Sequence, residues 1–143
     1  MILVTGAAGF IGSNFLHYIH KKTDDEIVIV DNLTYASDIK YIDKLVDNKR
    51  VKFIEIDIAD EQAVDELFVS YKPNIVFHFA AESHVDNSIK NYRPFIQANI
   101  LGTINLLNVS RDVVDKFHHI STDEVFGSLE YDDPNIFTEE TLY

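Results

Sequence analysis

Short apolar segments alternate with longer amphipathic ones along this 143-residue chain. The short segments are rich in β-branched and aromatic residues, which favour strands. Strands are therefore predicted at 2–5, 26–30, 51–56, 74–79 and 117–120. Because most of these segments are almost continuously apolar, they are typical of parallel strands that are covered on both faces.

The longer segments have the three-and-four spacing of apolar residues that is typical of helices. Helices are predicted at about 10–22, 60–71 and 93–111, with shorter ones at 38–46 and 85–91. Asp60 is a suitable N-cap for the second of these helices, and Pro94 suits the first turn of the third.

Alternation of strands and helices predicts an α/β fold. A Rossmann-like, doubly wound parallel sheet with helices on both faces is expected, with the incomplete strand order 3-2-1-4-5. A ligand crevice is then expected between strands 1 and 4. Residues 1–127 would form this domain. Residues 128–143, SLEYDDPNIFTEETLY, are expected to be an irregular tail that leads toward a further, carboxyl-terminal part.

The composition of the chain disfavours two classes of binding partner, nucleic-acid polymers and membranes. The formal net charge of −12 disfavours nucleic-acid polymers and anionic membrane surfaces, because phosphates attract Lys and Arg. The chain has no cysteine and therefore no disulfide or thiolate site. No apolar run approaches the roughly 20 residues that a membrane-spanning helix needs. These features predict a soluble cytoplasmic protein without a membrane partner.

Three glycines follow the first predicted strand, in VTGAAGFIGSNF. Gly6 permits a sharp turn, Gly9 lets a diphosphate approach the backbone, and Gly12 lets the next helix pack closely. The helix N-terminus would present free N–H groups to the phosphates. The spacing G-x-x-G-x-x-G is one residue longer than the standard dinucleotide fingerprint, and a purely structural tight turn is the alternative interpretation.

Carboxylates follow the second and third predicted strands. Asp31 can accept hydrogen bonds from both adenosine ribose hydroxyls, and its charge would repel a 2′-phosphate. The pattern therefore predicts NAD rather than NADP as cofactor, and residues 1–127 as an NAD-binding domain; a plain loop aspartate is the alternative. Asp57 could accept a hydrogen bond from the adenine amino group, with Ile58 against the ring. A helix-capping role for Asp57 is equally consistent with its spacing.

Two further polar stretches follow strands 4 and 5. In FAAESHVDNSI, the flat or small Phe79, Ala80 and Ala81 could line a nicotinamide channel, with Ser83 and His84 at its mouth.

In STDEVFG, Thr122 precedes the adjacent carboxylates Asp123 and Glu124. Adjacent carboxyl groups in different surroundings can serve as acid and base. A solvated acidic loop is the alternative interpretation.

The six histidines do not have the arrangement of a metal site. His17 and His20 lie three residues apart without a third ligand nearby, and His118 and His119 are expected on opposite faces of a strand. His78 is expected to be a hydrogen-bonded core residue. No metal site is predicted.

Five segments together resemble the dTDP-glucose 4,6-dehydratases, a family within the extended short-chain dehydrogenase/reductases. They are VTGAAGFIGSNF, DNLTYA, AAESHVDNSI, NILGTINLL and STDEVFG. The resemblance extends from the first residue to the last. It implies a nucleotide-sugar dehydration of dTDP-glucose to dTDP-4-keto-6-deoxyglucose, with NAD reduced transiently.

The resemblance implies roles for individual residues. Contacts with NAD would be made by Gly6, Gly9, Phe10, Ile11, Gly12, Asp31, Asn32, Leu33, Thr34, Asp57, Ile58, Phe79, Ala80, Ala81, Ser83 and Ala98. The sugar would be contacted by Ser83, His84 and Thr122. In the catalytic group of Thr122, Asp123 and Glu124, Asp123 would be the general acid and Glu124 the general base.

The chain also departs from the family pattern. Phe126 stands where a tyrosine is usual, and Ala98 where a hydroxylated residue is common. The Tyr-x-x-x-Lys pair of the first chemical step is not found in a suitable place. An amino-terminal fragment that is inactive alone is therefore expected. The family forms homodimers through a four-helix bundle, to which the helix at 93–111 would contribute.

Two alternatives stay open. A nucleotide-sugar 4-epimerase would have a similar fold, although epimerisation needs no acid at C6 of the sugar. The chain could also be an NAD-binding module without catalysis.

Overall fold

A computed structural model describes residues 1–46 and 49–143. Its strands are β1 Ile2–Thr5, β2 Ile27–Asp31, β3 Val51–Glu55, β4 Ile75–His78 and β5 Lys116–His119. They form one parallel sheet in the order β3-β2-β1-β4-β5. The predicted fold and strand order are confirmed. The bounds predicted for β1 are those observed, and each predicted bound of the other four strands lies within one residue of the observed bound.

Helices connect the strands. They are α1 Phe10–His20, α2 Asp43–Val46, α3 Glu61–Tyr71, α4 Val85–Lys90, α5 Arg93–Phe95 and α6 Thr103–Ser110, with 3₁₀ turns at Ile39–Tyr41 and Asp123–Phe126. A π-helical segment, Ile96–Gly102, joins α5 to α6 without a break. We call residues 93–110 the composite helix. Residues 128–143 contain turns but no helix or strand.

Helix α3 illustrates how the sequence sets an element. The Asp60 carboxylate accepts a hydrogen bond from the Ala63 N–H at 3.1 Å, as predicted for the N-cap. Val64, Leu67 and Phe68 are buried along one face. Each such side chain contributes about 1.5–3 kcal/mol when it leaves water, so packing rather than propensity holds this helix.

Side chains of β1 alternate between two cores. Ile2 and Val4 pack with Leu16 of α1 on one face of the sheet. Leu3 packs with residues of α3 and with Leu106 of α6 on the other face. Helices therefore cover both faces, as predicted.

The register aligns the ends of neighbouring strands. Thr5 pairs with Val30 of β2 and with His78 of β4. Because β1 connects to β2 on one side and lies beside β4 on the other, the loops after these strands diverge and leave a crevice between them. Across the described parts of the chain, no helix combines the length and apolar character required to cross a membrane.

Candidate functional site

The glycine loop between β1 and α1 forms the floor of the crevice. A Cβ atom added to Gly6, whose φ is +69°, would lie 2.5 Å from the Ala80 nitrogen, and one added to Gly12 would clash with the Gly6 carbonyl oxygen. At Gly9 the added atom would meet only the Gly6 oxygen, at 3.4 Å. Gly9 is also the N-cap of α1, whose first turn carries no side-chain cap. Gly6 and Gly12 therefore lie against neighbouring backbone, whereas the backbone at Gly9 is open toward the crevice.

Asp31 closes one side of the crevice at the end of β2. Its side chain is 6% exposed, and its carboxylate accepts three hydrogen bonds. The Ala8 N–H donates to Oδ2 at 2.9 Å, whereas the Leu33 N–H and the Ser37 hydroxyl donate to Oδ1 at 2.9 and 2.8 Å. These donors fix the direction of the carboxylate and tie it to the glycine loop.

His78, the last residue of β4, supports the side of the crevice opposite Asp31. His78 is 1% exposed; its Nδ1 is bonded to Thr5 Oγ1 at 2.7 Å and its Nε2 to Thr103 Oγ1 at 2.9 Å. Burial, with a smaller contribution from His119, lowers the pKa of His78 from 6.5 to about 4. The predicted core histidine is confirmed, and it joins β1, β4 and α6 directly beneath the crevice.

The loop after β4 is held from two directions. The Glu82 N–H donates to Asn99 Oδ1, and Asn99 Nδ2 donates to the Glu82 carbonyl oxygen, both at 2.8 Å. The Tyr35 hydroxyl donates to Glu82 Oε2 at 3.1 Å. Glu82 therefore connects the composite helix to the loop after β2 across one end of the crevice.

Among the described residues, sixteen line the crevice, and eleven of these were predicted from the sequence. These eleven are Gly6, Gly9, Asp31, Asn32, Thr34, Asp57, Ile58, Phe79, Ala80, Ala81 and Ala98. Sequence reasoning missed Val30, Ala36, Ser37, Ile56 and Glu82. Val30, Ile56 and Glu82 are each adjacent to predicted residues, so an inspection of the neighbouring positions could have found them.

Other predicted contact residues lie outside this lining. Phe10 and Ile11 are exposed, at 77% and 62%, on the first turn of α1. Gly12 is buried in the first turn of α1, and Leu33, with φ of +49°, packs against the core beside α1. Ser83 and His84 are exposed where α4 begins. Their predicted contacts with the cofactor or sugar would therefore be made at the mouth of the crevice.

The predicted acid and base follow β5 in an ordered turn. Asp123 and Glu124 begin the 3₁₀ turn, and the Thr122 hydroxyl accepts a hydrogen bond from the Glu124 N–H at 3.3 Å. The same hydroxyl donates to Asp123 Oδ1 at 3.4 Å. All three residues are exposed.

Strand pairing relates this turn to the crevice. The Ile120 N–H donates to the His78 carbonyl oxygen at 3.1 Å, so the chain leaving β5 runs beside the chain leaving β4. Asp123 and Glu124 thus follow β5 at the same edge of the sheet as Phe79 and Ala80, outside the crevice lining.

Within the described residues, neither a Tyr-x-x-x-Lys pair nor a metal site is found at the crevice. The Tyr-x-x-x-Lys spacing does occur at Tyr18 and Lys22, but these residues lie at the end of α1 that is distant from the glycine loop. Within residues 1–46 and 49–143, no group of three or more His, Cys, Asp or Glu is placed to hold a metal ion. His17 is bonded to the Tyr41 carbonyl oxygen at 2.9 Å.

The crevice has the chemistry of a dinucleotide site. Bare backbone at Gly9 suits a diphosphate at the start of α1. The fixed Asp31 carboxylate suits a ribose, and Ile58 with Ala98 offers apolar surface for a flat ring. Asp57 Oδ1 accepts the Ala59 N–H at 2.9 Å in the turn before α3. The N-cap of α3 is Asp60, so the helix-capping alternative for Asp57 is wrong, and its adenine contact stays a prediction.

Comparison with known proteins agrees with this geometry. The sequence model of the family described as GDP-mannose 4,6 dehydratase matches residues 3–143. A dTDP-glucose 4,6-dehydratase from Neisseria meningitidis is 46% identical over 99% of this chain, and one from Escherichia coli is 42% identical. The chain spans 42% and 44% of these two relatives.

Solved structures are similar as well. The dTDP-glucose 4,6-dehydratase DesIV from Streptomyces venezuelae, crystallised with NAD, superimposes with a TM-score of 0.88 at 36% identity. The match covers 98% of this chain and 44% of that one. The UDP-Glc/GlcNAc 4-epimerase from Campylobacter jejuni gives 0.84 at 35% identity, over 98% of this chain and 41% of the epimerase.

Proposed function

Because this chain belongs to the GDP-mannose 4,6-dehydratase family, we propose that it is the NAD-binding part of a dTDP-glucose 4,6-dehydratase. One observation carries the proposal: an Asp–Glu pair follows β5 at the sheet edge where the loop after β4 lines a dinucleotide crevice. The proposal is supported by relatives of that activity that match 99% of the chain. It includes a cytoplasmic location and a nucleotide-sugar substrate, dTDP-glucose.

The residues present fit NAD. When bound, NAD would supply hydride transfer, taking a hydride from C4 of the sugar and returning it at C6. The proton of the C4 hydroxyl would go to the tyrosine of a Tyr-x-x-x-Lys pair, which the described residues do not place at the crevice. Gly6 and Gly9 would hold the diphosphate, and Asp31 with Asn32 the adenosine ribose. Phe79 and Ala80 would exclude water beside the nicotinamide.

The acidic pair would perform the proton transfers of the elimination. Glu124 would remove the proton at C5, which a ketone at C4 makes acidic. Asp123 would protonate the C6 hydroxyl, which then leaves as water. The two reacting carbons are neighbours, so adjacent residues can reach both. Ser83 and Thr122 would orient the sugar with their hydroxyl groups.

An epimerase is the second candidate, because a 4-epimerase is among the similar structures. An epimerase moves hydride and a proton at C4 alone, so it has no use for an acid at C6. The Asp123–Glu124 pair favours the dehydratase.

Calorimetric titration of the 143-residue chain tests the binding part of the proposal. We expect NAD to bind with a micromolar Kd and NADP at least tenfold more weakly, because the Asp31 carboxylate repels a 2′-phosphate. Incubation of the chain with NAD and dTDP-glucose is expected to give no keto sugar, since its residues do not place a Tyr-x-x-x-Lys pair at the crevice. Failure to bind NAD would overturn the proposal.

A chimera tests the chemistry. This chain would replace the aligned part of the Neisseria meningitidis relative, and the chimera would be assayed with dTDP-glucose for the keto sugar that absorbs in alkali. We expect turnover that Glu124→Gln or Asp123→Asn reduces at least 100-fold. Glu130→Gln, in the exposed tail, is the control. An active chimera that is unaffected by both substitutions, or one that forms an epimer, would contradict the assigned roles.

A further inference from the structure

Ser37 reaches the crevice through the folding of its loop. Its N–H donates to the Thr34 carbonyl oxygen at 3.0 Å, which closes a turn, and the next N–H, of Asp38, donates to the Ala8 carbonyl oxygen at 3.0 Å. The loop after β2 is thereby tied to the glycine loop. In this position the Ser37 hydroxyl donates to Asp31 Oδ1 at 2.8 Å, and both residues line the crevice.

The hydrogen bonds leave this pair without a free donor. A carboxylate has about four acceptor positions, and three donors already occupy positions on Asp31. A serine hydroxyl has one proton and two lone pairs, and the proton of Ser37 is directed to Asp31. Toward the crevice, Ser37 and Asp31 together therefore offer acceptors only.

We propose that Ser37 is a specificity-determining residue that, while bonded to Asp31, accepts from the ribose hydroxyls of NAD and offers no proton to the 2′-phosphate of NADP. The inference rests on the proposed function and adds a residue to it. A ribose hydroxyl can donate to this acceptor pair. A 2′-phosphate brings negative charge and acceptor oxygens, and it meets no proton there.

Without the Asp31 carboxylate, the Ser37 hydroxyl would become a hydrogen-bond donor toward the crevice. If Asp31 were replaced by a residue that cannot accept, the Ser37 proton would be free to donate to a phosphate oxygen. The preference of Ser37 is thus conditional on Asp31, which makes the two positions non-additive.

A double-mutant cycle measured by calorimetry on the 143-residue chain tests this. Ser37→Ala is expected to weaken NAD binding by up to about tenfold, the upper end of the usual loss for one hydrogen bond between neutral groups, with no gain in NADP binding. Asp31→Ala is expected to weaken NAD and strengthen NADP. In the Asp31→Ala background, Ser37→Ala should weaken NADP about tenfold.

Conservative variants keep the test decisive if Asp31→Ala does not fold. Ser37→Thr retains the hydroxyl and should bind NAD within about twofold of the wild type. Ser37→Cys has a thiol that is both a weak donor and a weak acceptor, so it should resemble Ser37→Ala. Ser70→Ala, on the exposed side of α3, is the matched control. NAD binding that is unchanged in Ser37→Ala, or not restored in Ser37→Thr, would overturn this inference and leave the proposed function standing. A wild-type chain that binds no NAD would overturn both.

Discussion

At the scale of single residues, Gly9 and Gly12 differ in what an added methyl group would meet. At Gly12 it would overlap the Gly6 carbonyl oxygen, which is backbone and cannot move aside without opening the loop. At Gly9 it would stand in the crevice with one contact at 3.4 Å. The fold requires glycine at position 12, whereas at position 9 it is the proposed diphosphate contact that requires it, although the two glycines are alike in the sequence motif.

Substituting each glycine by alanine should separate these two requirements. Gly12→Ala is expected to lower the free energy of unfolding by several kcal/mol, because the clash involves backbone. Gly9→Ala should unfold like the wild type in a thermal melt but lose NAD affinity at least tenfold, because its methyl group occupies the place of the diphosphate. The proposal for the loop would be wrong if Gly9→Ala bound NAD normally.

His78 should make the stability of the domain depend on pH. Its pKa is about 4 in the folded chain and 6.5 when unperturbed, so the unfolded chain binds the extra proton between these values. The neutral imidazole contributes its full stability above pH 6.5. This contribution is lost as the pH falls toward 4, at about 1.4 kcal/mol per pH unit inside that window.

Urea unfolding at several pH values measures this dependence. The wild type should lose stability more steeply from pH 6.5 to 4.5 than His78→Gln, whose side chain does not titrate. His84→Gln, at the exposed start of α4, serves as control and should keep the wild-type slope. Equal slopes for the wild type and His78→Gln would contradict the assignment.

At the scale of elements, the π-helical segment of the composite helix is the feature with most consequence for the site. Asn99 lies within this segment and forms two hydrogen bonds with the main chain of Glu82. A π-helical turn changes the direction in which following side chains leave the axis, and such turns are frequent at functional sites. Here it coincides with the residue that holds the crevice loop.

Asn99→Ala should release the loop after β4 without unfolding the domain. We expect faster hydrogen exchange at the Glu82 amide, which loses its acceptor, and a several-fold weaker affinity for NAD. Asn108→Ala, on the exposed side of α6, is the matched control. Should the Glu82 amide exchange equally slowly in both variants, Asn99 would not be what holds the loop.

The elements differ in how far the sequence could predict them. The five strands and α3 were predictable because apolar periodicity and an Asp60 cap are local signals. The π-helical segment was not, because its apolar spacing is also that of an α-helix. The 3₁₀ turn at Asp123–Phe126 was missed because four residues are too few for a periodic pattern.

The same distinction applies to the crevice. Gly9 and Asp31 were predictable because strand ends and glycine spacing place them directly. Ser37 was not predictable, because its loop is brought to the crevice by a hydrogen bond between residues distant in sequence, from the Asp38 N–H to the Ala8 carbonyl oxygen. The position of Glu82 between Ala81 and Ser83 was predictable, but the hydrogen bonds by which Asn99 holds it were not. Hydrogen bonds between residues distant in sequence produce no periodic pattern from which they could be predicted.

At the scale of the whole molecule, the composite helix carries a row of exposed apolar side chains. Ile96, Ile100, Ile104 and Leu107 are each 43% to 47% exposed, and their spacing places them along one face of the helix. Contiguous exposed apolar surface is typical of protein–protein contacts. We propose that this face pairs with a second copy of the chain, as the family resemblance implies.

Self-association through this row should respond to salt in a characteristic way. The chain carries a net charge of −12, so two copies repel each other, and screening weakens that repulsion. Sedimentation velocity should therefore show more dimer at 0.5 M than at 0.05 M NaCl. Ile104→Glu should abolish the dimer at both concentrations. Val69→Glu, which places the same charge on the exposed side of α3, should leave it intact. A wild-type monomer at every salt concentration, or equal loss in both variants, would exclude pairing through the composite helix.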